Sequence, residues 1–267
     1  MCRYLKISSQ AYYRNYQYRK KLELEEDKIL SFVRRERSKN PKLGVRKLYI
    51  KFRSYYSSEE IKLGRDKFFE LLRKHDLLIK RRRRYCRTTN SNHSFKVYKN
   101  LIKDRAATAP HQVWVSDITY INTHEGFLYL SLITDGYSRK IVGYEVNDTL
   151  EATGCLRALD KAINQLSSNR YPIHHSDRGS QYCSYQYTKR LFDRDLSISM
   201  TEENHCYENA KAERVNGILK DEYFLDIKFK SKSIARRACK EAIYYYNTDR
   251  PHLSLGMKTP EMVHNGV

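Results

Sequence analysis

Three acidic side chains stand in contexts unlike those of ordinary surface carboxylates: Asp117 in VWVSDITYI, Asp177 in IHHSDRGSQY and Glu213 in ENAKAERVNGILK. The first two are separated by 59 residues and the last two by 35. Carboxylates drawn to one point repel each other, and a hard divalent cation, which prefers oxygen ligands, relieves that repulsion. Two such cations can activate a nucleophilic oxygen and stabilise a leaving 3′ oxygen, the central requirement of phosphoryl transfer. The residue types therefore point to metal-assisted phosphodiester chemistry, provided the fold gathers the three acids.

The surrounding pattern supplies elements able to do so. VWVSDITYI alternates as a strand, with Val113, Val115, Asp117, Thr119 and Ile121 on one face and Trp114, Ser116, Ile118 and Tyr120 on the other. A carboxylate midway along a buried-looking strand is costly unless paired or bound to a cation. FLYLSLITD and RKIVGYEV predict two more strands, joined by Asp135-Gly136, which gives Asp135 a turn role rather than a ligand role. LEATGCLRALDKAINQL is amphipathic and predicts a helix. YPIHHSDRGSQY predicts a short strand ending at Asp177, then a glycine turn and a helix through YQYTKRLF. The competing reading for Asp177 is a loop residue that caps that helix. LSISM predicts a fifth strand and NAKAERVNGILKDEY a helix with Ala212, Val215 and Leu219 buried. Asn209, Glu213, Asn216 and Lys220 form a polar stripe beside them, while Glu208 sits at the helix start, where the dipole alone accounts for it.

Other chemistries fit poorly. The six cysteines include no CxxC pair, and His174, His175, Cys183, His205 and Cys206 match no standard zinc spacing. No apolar run approaches the roughly 18 residues of a membrane span, and the basic N-terminal stretch lacks the apolar segment of a secretory signal. The expectation is a cytoplasmic, nucleoid-associated protein with no membrane partner.

Charge divides the chain. Residues 1–105 hold 31 basic and 11 acidic side chains, whereas residues 106–267 hold 20 of each, so the whole net charge of +20 lies in the first part. Such concentration suggests a polyanion-binding region, with nucleic acid the foremost polyanion; a merely solubilising face is the alternative. Residues 22–39, LGVRKLYIKF and RDKFFELLRKHDLL predict three amphipathic helices, a small all-α helix-turn-helix-like domain with Arg65 and Lys67 opening the third. A plain three-helix bundle would show the same periodicity. KRRRRY follows; the like charges of Arg81, Arg82, Arg83 and Arg84 favour an extended, solvated segment unless phosphates neutralise them. The expected organisation is a DNA-binding region over 1–85, a linker over 86–108, a catalytic core over 109–230 and a helical extension over 231–267.

WVSDITYI, HHSDRGSQY with its gap to Glu213, NPKLGVRKLYIKF and YYNTDRPHLSLGMKTPEMV together resemble bacterial insertion-sequence transposases of family three. The likeness is to the second-frame catalytic product, a relative of retroviral integrases. It implies an α/β fold: an RNase H-like mixed five-stranded sheet flanked by helices, preceded by the small all-α domain. It also implies that Asp117, Asp177 and Glu213 are a DDE triad holding Mg²⁺, or Mn²⁺, as two ions. Lys220 and Asn209 match DNA-contacting positions of the family helix, and Arg178 and Arg250 join the expected DNA contacts; Asn247 and Pro251 are expected to be structural. The implied reaction is strand cleavage and strand transfer at the terminal inverted repeats of an element and at target DNA. The implied state is a homo-oligomer on DNA, with fusion to or partnership with a first-frame helix-turn-helix protein. The chain differs from retroviral integrases in lacking an N-terminal His/Cys zinc region. Two rivals remain: an RNase H-like nuclease that only hydrolyses, and a non-catalytic DNA-binding regulator, which would be expected to lack at least one acid.

Overall fold

A computed structural model of the chain describes residues 8–56, 61–79, 95–103, 106–166, 170–202 and 210–266. Glu208, Asn209, Arg81, Arg82, Arg83 and Arg84 lie outside the described residues. The chain divides into two compact units, Met1–Arg82 and Arg83–Val267.

In the first unit, the helical spacing of apolar residues builds α1 (Ser9–Lys39), α2 (Val45–Tyr55) and α3 (Arg65–Lys74). Ile29, Phe32, Val33, Leu48, Phe52, Phe68 and Leu72 form their common core. Each such side chain contributes about 1.5–3 kcal/mol when fully buried. Helix α1 starts at Ser9 rather than near Leu22, capped by Ser8, whose Oγ accepts from the Ala11 amide at 3.1 Å. Periodicity could not find this extension, because it contributes none of the buried residues of α1. On the same helix, Glu26 accepts from Lys74 Nζ at 2.8 Å and lies 2.5 Å from His75 Nε2, and these partners hold its carboxyl below the usual range.

The second unit is a sheet with helices on both faces. Its strands are β1 (Val113–Thr123), β2 (Gly126–Asp135), β3 (Ile141–Asn147), β4 (Ile173–Ser176) and β5 (Ser197–Met200). The spatial order is β3-β2-β1-β4-β5; β1, β2 and β3 are antiparallel neighbours, while β4 runs parallel to β1 and to β5. The sheet is therefore mixed and five-stranded, as the sequence predicts. Helices α4 (Ala152–Ile163), α5 (Ser180–Cys183) and α6 (Tyr185–Phe192) precede β5, and α7 (Ala210–Glu222), α8 (Lys232–Thr248) and α9 (Pro260–His264) follow it.

The alternation in β1 separates two cores. Ile121 packs with β2, α7 and α8 through Leu128, Leu130, Val215, Leu219, Ile243 and Tyr246, and Val113 and Val115 meet Ala212 of α7. Trp114, fully buried, faces the opposite way, toward Leu159, Tyr187, Leu191 and Met200. Helix α4 lies so close to β3 that a Cβ at Gly143 would collide with the Ala158 carbonyl. The outer backbone of β3 is occupied by side chains: Asn247 accepts from Ile141 N–H and donates to Ile141 C=O, both at 2.9 Å. Lys161 reaches the Tyr144 carbonyl, and Gln165 and Arg236 reach those of Val142 and Val146. An edge so covered offers little template for a further strand.

Asp135 closes the β2–β3 turn. Fully buried, it accepts from the amides of His111, Tyr137 and Ser138 and from Ser138 Oγ, at 2.7 to 3.1 Å. Trp114 Nε1 can only donate, so its 3.3 Å contact fixes His111 Nδ1 as an acceptor. His111 then donates from Nε2 to His264 Nε2 at 3.1 Å, and His264 Nδ1 donates to Ser138 at 2.9 Å. This neutral chain fastens α9 to the start of β1; burial holds both histidines below their usual range, His264 at about 4. No helix among the described residues is long and apolar enough to cross a membrane.

Candidate active site

Asp117 lies at the centre of β1, on the face that meets α7. Its Oδ1 accepts from the Ile118 amide at 2.9 Å and its Oδ2 from Asn216 Nδ2 of α7 at 2.7 Å. Burial first, and then the charge on Asp177, push this carboxyl up to about 7, while Asn216 and the Ile118 amide pull against them and Glu213 adds further repulsion. Each member of the sequence triad is therefore felt at one carboxylate.

Asp177 follows the last residue of β4, one strand over from Asp117. Its Oδ1 accepts from the Gly179 amide at 3.0 Å, which turns the chain into α5. A Cβ at residue 179 would lie 3.0 Å from that same oxygen and 3.2 Å from Gln181 Oε1, so glycine is what lets the carboxylate fold back over its own turn. The charge of Asp177 also raises Cys155 and Cys183, each to about 11, behind the larger effect of burial.

Glu213 is exposed in the first turn of α7, where the helix dipole favours an acid. One turn further, Asn216 is buried and ties the helix to β1, so α7 presents Glu213 to the same end of the sheet as Asp117. Lys220, on the same stripe, is half-buried. Among the described residues no three His, Cys, Asp or Glu side chains are gathered into a ready cage for a metal ion. The acids form an electrostatic neighbourhood rather than a closed cage.

The donor set nonetheless fits a hard cation. All three acids supply oxygen, burial and then the charge of Asp177 make an ionised Asp117 costly without a counter-charge, and the buried Asn216 Oδ1 has no hydrogen-bond partner. The neighbouring histidines do not compete. His174 is fully buried with Nε2 2.7 Å from Ser116 Oγ and 2.9 Å from Tyr187 Oη, and burial lowers it to about 3. His175 Nδ1 contacts Ser199 Oγ at 2.9 Å.

The expected DNA contacts differ in their surroundings. Arg65 and Lys67 are exposed in the first turn of α3, with Arg65 Nε 2.9 Å from Asp66. Arg178 donates from Nε to the Thr201 carbonyl at 2.7 Å. Arg250 is a correction: it is only 3% exposed, and its guanidinium forks onto Glu222 at the end of α7 at 2.8 and 2.6 Å. Its donors are committed to a carboxylate inside the protein and are not available to phosphate. Asn216 is the residue that sequence reasoning placed on the right stripe without assigning it to the site. Its signal was an amide at i+3 from Glu213, which gains meaning only when β1 is known to lie opposite.

A mixed five-stranded sheet flanked by helices is the architecture of the integrase-core class of RNase H-like folds. Residues 107–206 match one Integrase core domain family, and residues 194–260 match a second of the same description. A chain of the simian T-cell lymphotropic virus intasome, in complex with PP2A regulatory subunit B56 gamma, shares the fold with a TM-score of 0.52 at 18% identity, over 76% of this chain and 67% of that one. The chain is 37% identical over 240 residues to the 31 kDa protein of insertion element IS600 from Shigella sonnei, covering 85% of this chain and 88% of that protein. It is 35% identical over 196 residues to transposase InsF for insertion sequence IS3A from Escherichia coli K12, covering 73% and 68%. The chain belongs to the IS3-type transposases of the retroviral integrase-like superfamily.

Proposed function

We propose that this transposase cleaves DNA at the ends of its element and joins them to target DNA, with Asp117, Asp177 and Glu213 as the catalytic carboxylates. The observation that carries the assignment is the Asp117 carboxyl, raised to about 7 by burial, Asp177 and Glu213 while Asn216 holds it in place. A carboxylate buried beside further acids is costly unless a cation pairs with it. Asp117, Asp177 and Glu213 would hold two Mg²⁺ or Mn²⁺ ions, which when bound supply activation of the attacking oxygen and neutralisation of charge on the leaving oxygen.

In the first reaction, water oxygen bonds to phosphorus at the element end and the bond from phosphorus to the 3′ oxygen breaks. This leaves a 5′ phosphate on the flank and a free 3′ hydroxyl on the element. In the second, that hydroxyl oxygen loses its proton to solvent and bonds to phosphorus in the target, and the displaced 3′ oxygen of the target takes up a proton to leave as a hydroxyl. One phosphodiester replaces another, so no nucleotide triphosphate is consumed. The chain's own contribution is positional. Asn216 and the Ile118 amide orient Asp117, the Gly179 turn orients Asp177, and α7 carries Glu213 with Lys220 two turns on, where a cation can contact the end DNA.

Arg65 and Lys67 on the exposed start of α3, Arg178, Asn209 and the Arg81–Arg84 run are proposed DNA contacts, within the proposed regions 1–85, 86–108, 109–230 and 231–267. Two ends must be held together for joining, so a homo-oligomer on DNA is proposed, and a first-frame helix-turn-helix product is a proposed partner. The test is Glu213→Gln, assayed for end cleavage and strand joining in Mg²⁺ on a duplex carrying the element's terminal repeat. Loss of both activities with retained DNA binding is expected; undiminished activity would sink the triad.

A further inference from the structure

The first half of α1 packs on no core among the described residues. From Ser9 to Leu24 every residue is exposed except Ala11, which is half-buried, and the first buried side chain of the helix is Ile29. The exposed surface is unusual in kind. Tyr12, Tyr13, Tyr16 and Tyr18 are 38 to 63% exposed, and Arg14, Arg19, Lys20 and Lys21 stand among them with no acid before Glu23. Most helical stability in proteins comes from tertiary packing, so a surface that buries nothing among the described residues is suited to a covering partner.

Helical spacing sorts these side chains onto two flanks. Tyr12, Tyr16, Arg19 and Lys20 recur at i, i+4, i+7 and i+8, whereas Arg14, Tyr18 and Lys21 recur at i, i+4 and i+7 on the other side. A helix that docked on a protein through one face would leave the cations of the other flank facing water, with Lys21 alongside Glu25 at 4.0 Å. The major groove of duplex DNA admits a helix and lines it with phosphates on both walls. Arginine, lysine and tyrosine are all among the side chains that donate to phosphate oxygens.

We propose that the Ser9–Leu24 portion of α1 is a DNA-docking helix that lies in a groove of duplex DNA and contacts phosphates from both flanks. This rests on the DNA-acting function proposed above, but it assigns a surface that the catalytic triad and the α3 residues do not include.

The test is binding of the full chain to a fluorescein-labelled mixed-sequence duplex of about thirty base pairs across a salt series, in which each lost phosphate contact removes ~0.9 from the slope of log K against log salt. The variant combines Arg14→Ala, Arg19→Ala, Lys20→Ala and Lys21→Ala; alanine keeps exposed helix positions helical. The expected result is a slope shallower by about two to four, with affinity at low salt reduced at least tenfold. Amide hydrogen exchange over residues 9–24 should also slow when the duplex is added to the wild-type chain. An unchanged slope overturns the inference, as does wild-type exchange that the duplex does not slow. If the slope is unchanged and replacing the four tyrosines by serine dissociates a dimer seen by light scattering, the helix is a self-association face instead. A chain that keeps its slope in the quadruple variant but loses cleavage on Glu213→Gln retains the proposed function and loses only this helix.

Discussion

Asn216 of α7 donates its side-chain amide to Asp117 of β1, Nδ2 to Oδ2, at 2.7 Å. The bond joins the strand that carries the first acid to the helix that carries the third, one turn from Glu213. Replacing Asn216 with alanine removes a charge-assisted hydrogen bond worth roughly 1.5–3 kcal/mol. Strand cleavage is expected to fall by about tenfold to a hundredfold, with circular dichroism unchanged, because the carboxylate loses its orientation rather than its chemistry. Asn216→Asp should be worse than Asn216→Ala, since it adds a negative charge where Asp177 and Glu213 already oppose one.

Asp117 titrates up at about 7, so between its ordinary range and that value the folded chain keeps a proton that the unfolded chain has released. Stability of the metal-free protein therefore falls as pH rises through this window and levels off above it. Comparing urea midpoints near pH 5 and near pH 8 for wild type and Asp117→Asn isolates the effect, because the variant lacks that proton and should lose less stability over the same interval. An equal loss in both proteins would remove Asp117 as its source.

Metal ions should reverse that penalty. Millimolar Mg²⁺ is expected to raise the melting temperature of the wild-type chain more strongly at pH 8 than at pH 6, since binding favours the ionised carboxylates. Differential scanning fluorimetry of Asp117→Asn and of Glu213→Gln should show a reduced shift, and chelation should abolish strand cleavage by the wild type.

Two glycines distinguish site geometry from helix propensity. Gly179→Ala brings a Cβ to 3.0 Å from Asp177 Oδ1, so the carboxylate must shift, and cleavage is expected to drop severalfold or more. Gly217 is exposed in α7, and a Cβ there would meet nothing within 4 Å, so its replacement by alanine should instead stabilise the protein. The gain expected for that change is about 0.5–1 kcal/mol, read from denaturant unfolding.

The pairing of Arg250 with Glu222 makes its structural role testable. Arg250→Ala removes the buried guanidinium that forks onto Glu222, whose side chain is 16% exposed, a loss of roughly 3–5 kcal/mol at most by the usual behaviour of buried pairs. Urea unfolding should register it, whereas the salt dependence of DNA binding should not change. A loss of salt slope with full stability would restore Arg250 as a DNA contact.

The strands, the helices and their order were legible because burial imposes period two on β1 and a 3.6-residue period on α7, and these periods survive in the letters alone. Asp117 could be singled out for the same reason, as the one charge on a strand otherwise uncharged. The N-terminal extension of α1 left no such trace, because an exposed helix obeys no burial pattern. Arg250 misleads for the opposite reason: an arginine bound for phosphate and one forked onto a half-buried glutamate read alike until Glu222, 28 residues earlier, is brought beside it. The same is true of Asn216, which becomes meaningful only across the 99 residues that separate it from Asp117. Local periodicity is written along the chain, whereas pairing between distant polar groups is set by how the sheet and helices pack, and only the tertiary structure decides it.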